Sequence, residues 1–203
     1  MSETRRIILD AGPALTFCAA NKQQILHDTL RRVGELKAPE RVHTEILNKA
    51  KPRSLFAAAR NNWLGLVDHG HIQLLSDEPT AALEAAVLEL SGTPFDERVR
   101  HGKDLGELMV MAHAIVLRDQ GCEVIVLIDE WRAQATATRL GLRVLDTHRV
   151  LISAARNGLI TDRAHMRKTY AQLRIYDDGL VDIAQTSLLS RTTWAPQSGT
   201  QSS

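Results

Sequence analysis

Apolar residues along the chain occur in two alternating patterns, short continuous runs and longer segments with helical spacing. The short runs lie in RIILD, ELKAP, HIQLL, EVIVLID and LRVLD. Continuous runs of about four to eight β-branched and aliphatic residues are typical of strands that are buried on both faces of a sheet. The pattern therefore predicts five short strands with helices between them.

The segments between the runs carry apolar residues three and four positions apart, and several of them end at glycine. Examples are ILHDTLRRVG, DLGELMVMAHAIVLRDQG and THRVLISAARNG. Strands that alternate with helices of about 10 to 15 residues are joined by right-handed crossovers, which make the strands parallel and cover both faces of the sheet. The predicted fold class is α/β with a central parallel sheet.

The composition limits the size and the partners of this fold. With 203 residues, 44% of them hydrophobic, the chain is expected to form one well-buried domain. A net charge of +1 argues against a strongly electrostatic partner surface, although local basic clusters leave nucleic-acid binding open. Cys18 and Cys122 have no cysteine nearby, and the longest apolar run, VIVLI, is far shorter than the about 20 residues of a membrane span. A cytoplasmic chain without membrane contact is expected.

Two of the predicted strands are followed directly by an aspartate. Asp10 ends the run RIILD and precedes Gly12 and Pro13, and Asp129 ends the run EVIVLID. Each carboxylate is placed to cap the helix that follows it. Parallel strands also bind ligands outside their carboxyl ends, so both acids point into one crevice if their strands are neighbours. The two roles, helix cap and ligand, stay open for both residues.

Further acids lie at or near helix starts. Glu45 belongs to a helix predicted after Pro39, and Glu107 belongs to the first turn of a strongly apolar helix. Asp104 precedes Glu107 by three residues, which is the spacing of a capping box with Asp104 as the N-cap. The helix dipole favours acids in a first turn, so structural roles explain this pair as well as functional ones.

The order of these motifs resembles one family, the PIN-domain nucleases, and within it the VapC-like toxins of bacterial toxin–antitoxin pairs. ILDAGPALTF resembles the opening strand with its first catalytic acid, and ELKAPERVHTEIL resembles the strand, proline and helix that carry the second. LGELMVMAHAI resembles the Gly-Glu helix, and VLIDEWRAQATATRLGLRVLDTHRVLISAARNGLI resembles the fourth strand and the elements after it. The resemblance covers about Arg5 to Leu180.

The resemblance implies a PIN-like, Rossmann-like domain over residues 1–190, with a helical insertion around 54–103. The polar segment 191–203 is expected to be a disordered tail. Asp10, Glu45, Glu107 and Asp129 are implied to be the catalytic acidic quartet, with Asp10, Glu107 and Asp129 holding the metal. Asp104 and Glu130 are implied to orient ligands or water. Thr147 either donates to a phosphate or caps its helix, and the cap is the favoured interpretation.

Four carboxylates in one crevice need a counter-charge. Two carboxylates about 5 Å apart repel by roughly 3 kcal/mol at an effective dielectric constant near 20, so such a cluster indicates a cation or bound protons. Ligands that are all oxygen favour Mg²⁺ or Mn²⁺. The implied activity is metal-dependent hydrolysis of RNA that leaves a 5′-phosphate and a 3′-hydroxyl. A small antitoxin and a homodimer are the implied protein partners.

Two other functions compete with a ribonuclease toxin. One is a PIN nuclease that acts in RNA maturation or on DNA without an antitoxin. The other is a catalytically silent PIN module that binds RNA or protein, in which the acids serve as helix caps. The tryptophans do not decide between them, because Trp63 and Trp131 are expected to brace their helices rather than to stack on bases.

Overall fold

The computed structural model describes residues 5–102 and 104–194 of the chain. Within these ranges it contains a five-stranded sheet with helices around it, and every strand pairing is parallel. The predicted α/β fold class is confirmed. The elements in chain order are β1 (Arg6–Leu9), α1 (Ala11–Ala19), α2 (Gln23–Leu30), β2 (Glu35–Pro39), α3 (Glu40–Lys49), α4 (Ala57–Asp68), β3 (Gln73–Leu75), α5 (Ala81–Ser91), α6 (Phe95–His101), α7 (Leu105–Asp119), β4 (Val124–Leu127), α8 (Trp131–Arg139), β5 (Arg143–Leu145), α9 (Thr147–Arg156), α10 (Arg163–Arg174), a 3₁₀ turn (Ile183–Gln185) and α11 (Arg191–Trp194).

The order of the strands in the sheet is β3-β2-β1-β4-β5. The chain therefore builds outward from β1 on one side and then crosses over to β4 on the other side, so the direction of winding reverses between β1 and β4. Leu9 of β1 lies opposite Leu127 of β4, and the backbone N–H of Asp10 donates to the Leu127 carbonyl at 3.0 Å. Strands β1 and β4 consequently end side by side, which is where ligands bind in open parallel sheets.

The core lies on both faces of the two central strands. β4 is buried at all four positions and β1 at its last three. Helix α7 is buried along most of its length and packs against the sheet. Trp63 of α4 is 0% exposed, and its indole N–H donates to Nδ1 of His43 at 3.0 Å, so the prediction that Trp63 braces its helix is confirmed.

The segment predicted as a helical insertion, around 54–103, contributes α4, α5 and α6 and also the edge strand β3. Helix α5 packs on the face of α7 that points away from the sheet, where Leu83 and Val87 meet Met109 and Ile115 in a second apolar cluster. The segment therefore covers the outer face of α7. Lys103, at its end, lies outside the described residues.

The prediction of a disordered tail from residue 191 is wrong for its first four residues. Arg191–Trp194 form helix α11, in which Thr193 is buried. The indole N–H of Trp194 donates to the Leu188 carbonyl at 2.8 Å, and its ring packs against the core. This apolar anchor outweighs the polar composition of the segment. Residues 195–203 lie outside the described residues.

A search of the described helices for a membrane span found none with the necessary length and apolar content.

Candidate functional site

Asp10 lies at the carboxyl end of β1 and is only 8% exposed. It occupies the N-cap position of α1, where its Oδ2 accepts a hydrogen bond from the Gly12 backbone N–H at 3.3 Å. The capping role expected from the sequence is therefore confirmed. The pKa of Asp10 is raised to about 6, mainly by burial and also by the negative charges of Glu45 and Asp129, while backbone hydrogen bonds act in the opposite direction. A carboxyl that only capped a helix at the surface would have a lowered pKa instead.

Asp129 follows β4 and is held by one residue, Thr147. The Thr147 backbone N–H donates to Oδ1 at 2.7 Å, and the Thr147 hydroxyl donates to Oδ2 at 2.6 Å. Burial raises the pKa of Asp129 in spite of these two hydrogen bonds, and the charges of Asp177 and Asp146 add to the rise. Both carboxylate oxygens are thereby fixed in orientation.

The expectation that Thr147 caps its own helix is wrong. The N-cap of α9 is Asp146, whose Oδ1 accepts from the Arg149 backbone N–H at 2.7 Å. Thr147 is the first residue of the helix and is fully buried, with its hydroxyl turned towards Asp129. Its role in the structure is to position that acid.

Glu107 lies in the first turn of α7. Burial raises the pKa of Glu107 to about 7, and the charges of Asp10, Glu130, Asp104 and Glu45 contribute to the rise in that order. Among the described residues it has no hydrogen-bond or ion-pair partner, in contrast to the other three acids of the predicted quartet. No hydrogen-bond donor or cation among the described residues therefore offsets the negative charge of the Glu107 carboxylate, and its neighbours are acids.

Glu45 reaches this environment from α3. Its Oε1 accepts from Lys49 Nζ at 2.7 Å, one turn further along the same helix. Its Oε2 lies so close to the α7 backbone that a Cβ atom on Gly106 would be 2.6 Å from it. Because Gly106 has no side chain, the Glu45 carboxylate can lie next to the first turn of α7.

The two auxiliary acids have different environments. Glu130 is the N-cap of α8, and its Oε2 accepts from the Ala133 backbone N–H at 2.7 Å. Asp104 occupies the N-cap position of α7 in the left-handed region, with φ 58°, and its side chain makes no capping hydrogen bond. The capping box expected between Asp104 and Glu107 is therefore not formed.

All of these acids line one open cleft of about 920 Å³ at the carboxyl edge of the sheet. Sequence reasoning missed several of its residues, including Asp177, Asp178, Tyr176 and His148. Burial raises the pKa of Asp177, and the charge of Asp178 adds to the rise. The cleft as described carries nine carboxylates and two cationic side chains, Arg41 and Lys49. The acid pair in YDDGL is the only signal for this wall in the sequence, and nothing local relates that turn to the sheet edge.

Carboxylate oxygens are ligands of hard divalent cations, so the residue types of the cleft are compatible with such an ion. No three or more His, Cys, Asp or Glu side chains within residues 5–102 and 104–194 are grouped so that they could hold a metal ion. Mg²⁺ keeps several of its waters and is bound through one or two carboxylates, so a proposal of Mg²⁺ binding depends on that mode.

No family model, no curated protein and no solved structure matches the chain. The function proposed below therefore depends on the residues of the cleft and on the resemblance of the sequence motifs.

Proposed function

We propose that the chain is a metal-dependent nuclease of the PIN-domain type that hydrolyses RNA and serves as the toxin of a toxin–antitoxin pair. One observation carries the proposal. Asp10, Glu45, Glu107 and Asp129 come from four separate elements and line one cleft at the point where the winding of the sheet reverses. Their mutual repulsion contributes to the raised pKa values of Asp10 and Glu107. Acids with raised pKa values in one cleft are candidates for a functional site.

The cation that offsets this charge is Mg²⁺ or Mn²⁺, held by Asp10, Glu107 and Asp129. When bound, it lowers the pKa of a coordinated water and stabilises negative charge on the phosphate. Asp10 and Asp129 are suited to hold it because each is fixed in orientation, by the Gly12 N–H and by Thr147 respectively. Glu45 positions water or a second ion.

Glu107 is the residue that can take up the proton of the attacking water. In the chain alone, burial and the neighbouring acids raise the pKa of Glu107 to about 7, and a bound cation would lower it, so the carboxylate would be ionised and able to accept a proton. The oxygen of the water would form a bond to phosphorus and pass its proton to Glu107, while the bond from phosphorus to O3′ breaks and O3′ takes up a proton from solvent, so the products carry a 5′-phosphate and a 3′-hydroxyl. Asp104 and Glu130, on either side of Glu107, orient water or the metal ligands.

The same charge distribution supports an antitoxin as partner. A guanidinium or ammonium group inserted into the cleft would neutralise the carboxylates and displace the metal, which is how a small basic segment would restrain the enzyme. A homodimer in the cytoplasm is part of this proposal through the resemblance to the toxin family.

A second candidate, a catalytically silent binding module, is favoured by the hydrogen bonds of the acids. Asp10 and Glu130 cap helices, Asp129 is occupied by Thr147, and Glu45 is paired with Lys49. In such a module the acids stabilise the fold and bind no metal. A nuclease of RNA maturation or of DNA without an antitoxin has the same cleft and differs in its substrate.

The test is cleavage of 5′-labelled RNA by the purified chain in Mg²⁺, Mn²⁺ or EDTA. Asp10→Asn and Glu107→Gln are compared with Glu89→Gln, an exposed acid of α5 outside the cleft, after thermal unfolding has shown all three to be folded. Cleavage that requires metal, is lost in both cleft variants and persists in Glu89→Gln supports the nuclease. No cleavage, together with no calorimetric uptake of Mn²⁺, supports the silent module.

A further inference from the structure

Trp131, at the start of α8, is the most exposed large apolar side chain of the described residues, with 68% of its surface accessible. The expectation that it braces its helix is therefore wrong. Trp63 and Trp194 each donate their indole N–H to a partner within the fold. Trp131 has no such partner among the described residues. Its ring is available to a ligand.

Trp131 stands at the edge of the acidic cleft. Its neighbour Glu130 lines the cleft, and so does Gln134, one turn further along α8. Gln134 donates to the Ile128 carbonyl at 2.8 Å, which ties this end of the helix to the chain leaving β4. The first turn of α8 is thus a rigid part of the cleft wall, and Trp131 projects from it into solvent.

Arg132 accompanies the ring. Its guanidinium carbon lies 5.3 Å from the centroid of the Trp131 ring, within cation–π distance. Arg132 forms no ion pair with a described residue, whereas Lys49 in the cleft is already paired with Glu45. The charge of Arg132 is available to an anion that approaches the same ring.

The proposed function requires an affinity for nucleic acid that the acidic cleft itself does not provide, and an exposed aromatic ring can supply it. The nine carboxylates of the cleft repel a polyphosphate chain, and the metal can compensate this repulsion only at the scissile phosphate. Affinity for the rest of the strand must come from contacts that do not depend on the charge of the cleft. Stacking of a base on an aromatic side chain is such a contact.

We propose that Trp131 and Arg132 form a stacking subsite for single-stranded nucleic acid, in which Trp131 stacks on an unpaired base and Arg132 contacts a neighbouring phosphate. The inference rests on the proposed function, because it places the subsite beside a cleft that cuts the strand. The subsite discriminates against duplexes, whose bases already have both faces covered. Phe56 and Tyr176, the aromatic pair that also lines the cleft, pack on each other with centroids 5.9 Å apart and offer less free surface.

A protein partner is the competing occupant of Trp131. The other large exposed apolar side chains all lie outside α8, so α8 itself presents one aromatic ring and not an apolar face; they are Leu55, Leu88, Ile175 and Val181. A single ring with a cation over it matches a base and a phosphate better than a protein interface.

The test measures binding separately from cleavage. The anisotropy of a fluorescein-labelled oligouridylate is followed in EDTA, where hydrolysis is absent, for the wild type, Trp131→Phe, Trp131→Leu and Arg132→Gln. Leu88→Ala, an exposed residue of α5, is the control.

Trp131→Leu is expected to raise Kd by about 5- to 150-fold, while Trp131→Phe keeps most of the affinity. Arg132→Gln is expected to reduce the slope of log Kd against log salt by about 0.7. A single-stranded DNA and a duplex of the same sequence show whether sugar or strandedness sets the preference.

Equal affinity of the wild type and Trp131→Leu would overturn the subsite. The subsite would also be overturned if the wild type bound no nucleic acid and eluted as a dimer in size-exclusion chromatography while Trp131→Leu eluted as a monomer. Binding that depends on Trp131, in a protein that never cleaves RNA with metal, supports the subsite and refutes the nuclease alone. Cleavage that depends on Asp10 but is insensitive to Trp131 in both KM and Kd supports the nuclease and refutes the subsite.

Discussion

Thr147 donates two hydrogen bonds to Asp129, one from its backbone N–H and one from its hydroxyl, and so engages both carboxylate oxygens. The two residues lie at the same carboxyl edge of the sheet, after neighbouring strands, since Asp129 follows β4 and Thr147 follows β5. The two hydrogen bonds fix the orientation of the carboxylate plane. Burial raises the pKa of Asp129 in spite of them. An acid held in this way is preorganised for a ligand, because little rotamer freedom is left to lose on binding.

Replacement of Thr147 by valine tests this arrangement. Valine keeps the shape of the side chain and the backbone donor but leaves Oδ2 of Asp129 without a partner. We expect cleavage of RNA to fall by about 10- to 100-fold and the free energy of unfolding in urea to drop by about 1 to 3 kcal/mol. Thr147→Ser keeps the hydroxyl and is expected to retain most of both. If valine and serine behave alike, the hydroxyl does not orient Asp129.

The raised pKa of Asp10 makes a prediction about stability without metal. A carboxyl whose pKa is higher in the folded state than in the unfolded state stabilises the fold while it is protonated, and this contribution is lost as the pH rises from about 4 through about 6. A rise from 3.8 to about 6, at about 1.4 kcal/mol per unit, sets an upper limit of about 3 kcal/mol. In EDTA, Asp10→Asn is therefore expected to become more stable than the wild type as the pH rises through this window. Mg²⁺ is expected to reduce the difference.

Asp162 is the control for the sign of this effect. It is the exposed N-cap of α10, and the hydrogen bond from the His165 backbone N–H lowers its pKa. The stability that it contributes is present above the ordinary pKa of an aspartate and is lost as the pH falls. Relative to the wild type, Asp162→Asn should therefore show a constant loss of stability from about pH 4 to 6, where Asp10→Asn gains stability, and this loss should shrink only at lower pH. Parallel pH profiles of urea unfolding for the two variants would contradict the assigned pKa of Asp10.

Gly106→Ala separates the position of Glu45 from the stability of the fold. The added Cβ would meet Oε2 of Glu45 at 2.6 Å, and because that oxygen ends a flexible side chain, the carboxylate moves rather than the backbone. We expect thermal unfolding close to that of the wild type and a loss of cleavage of about 10- to 100-fold. Gly65→Ala in α4, where nothing lies within 4 Å, is expected to gain about 0.5 to 1 kcal/mol of stability at unchanged activity. Wild-type cleavage by Gly106→Ala would remove Glu45 from the catalytic set.

The sequence predicts those parts of the site that depend on local patterns. A buried strand that ends on an acid places Asp10 and Asp129 at the sheet edge, since parallel strands share one carboxyl end. The start of α7 likewise places Glu107 near that edge, and Glu45 lies within the helix that follows β2. The function of these acids stays a prediction, because their types and spacing suit both helix caps and metal ligands.

Other parts of the cleft depend on contacts between distant segments, which no local pattern encodes. Thr147 meets Asp129 across 18 positions of the chain. Asp177 reaches the cleft from the turn after α10. The exposure of Trp131 depends on which residues pack beside α8. Its position as the first residue of a helix therefore does not predict whether the ring packs against the fold or stacks on a base.

The hydrogen bonds of the histidines predict which ring nitrogen carries the proton. Tyr170 Oη lies 2.9 Å from the Val181 carbonyl, to which only its hydroxyl hydrogen can be donated. At His148, Nε2 lies 3.1 Å from the same Oη and must therefore be the donor, which leaves Nδ1 without a hydrogen in the neutral ring. His69 has the opposite arrangement, because its Nδ1 lies 2.7 Å from the Gly65 carbonyl and must carry the hydrogen. In ¹⁵N-edited NMR spectra above the titration range, we expect the Nε2–H tautomer for His148 and the Nδ1–H tautomer for His69. Tyr170→Phe should abolish the preference at His148 alone, and an Nδ1–H tautomer at His148 would show that the Tyr170 hydroxyl does not donate to Val181.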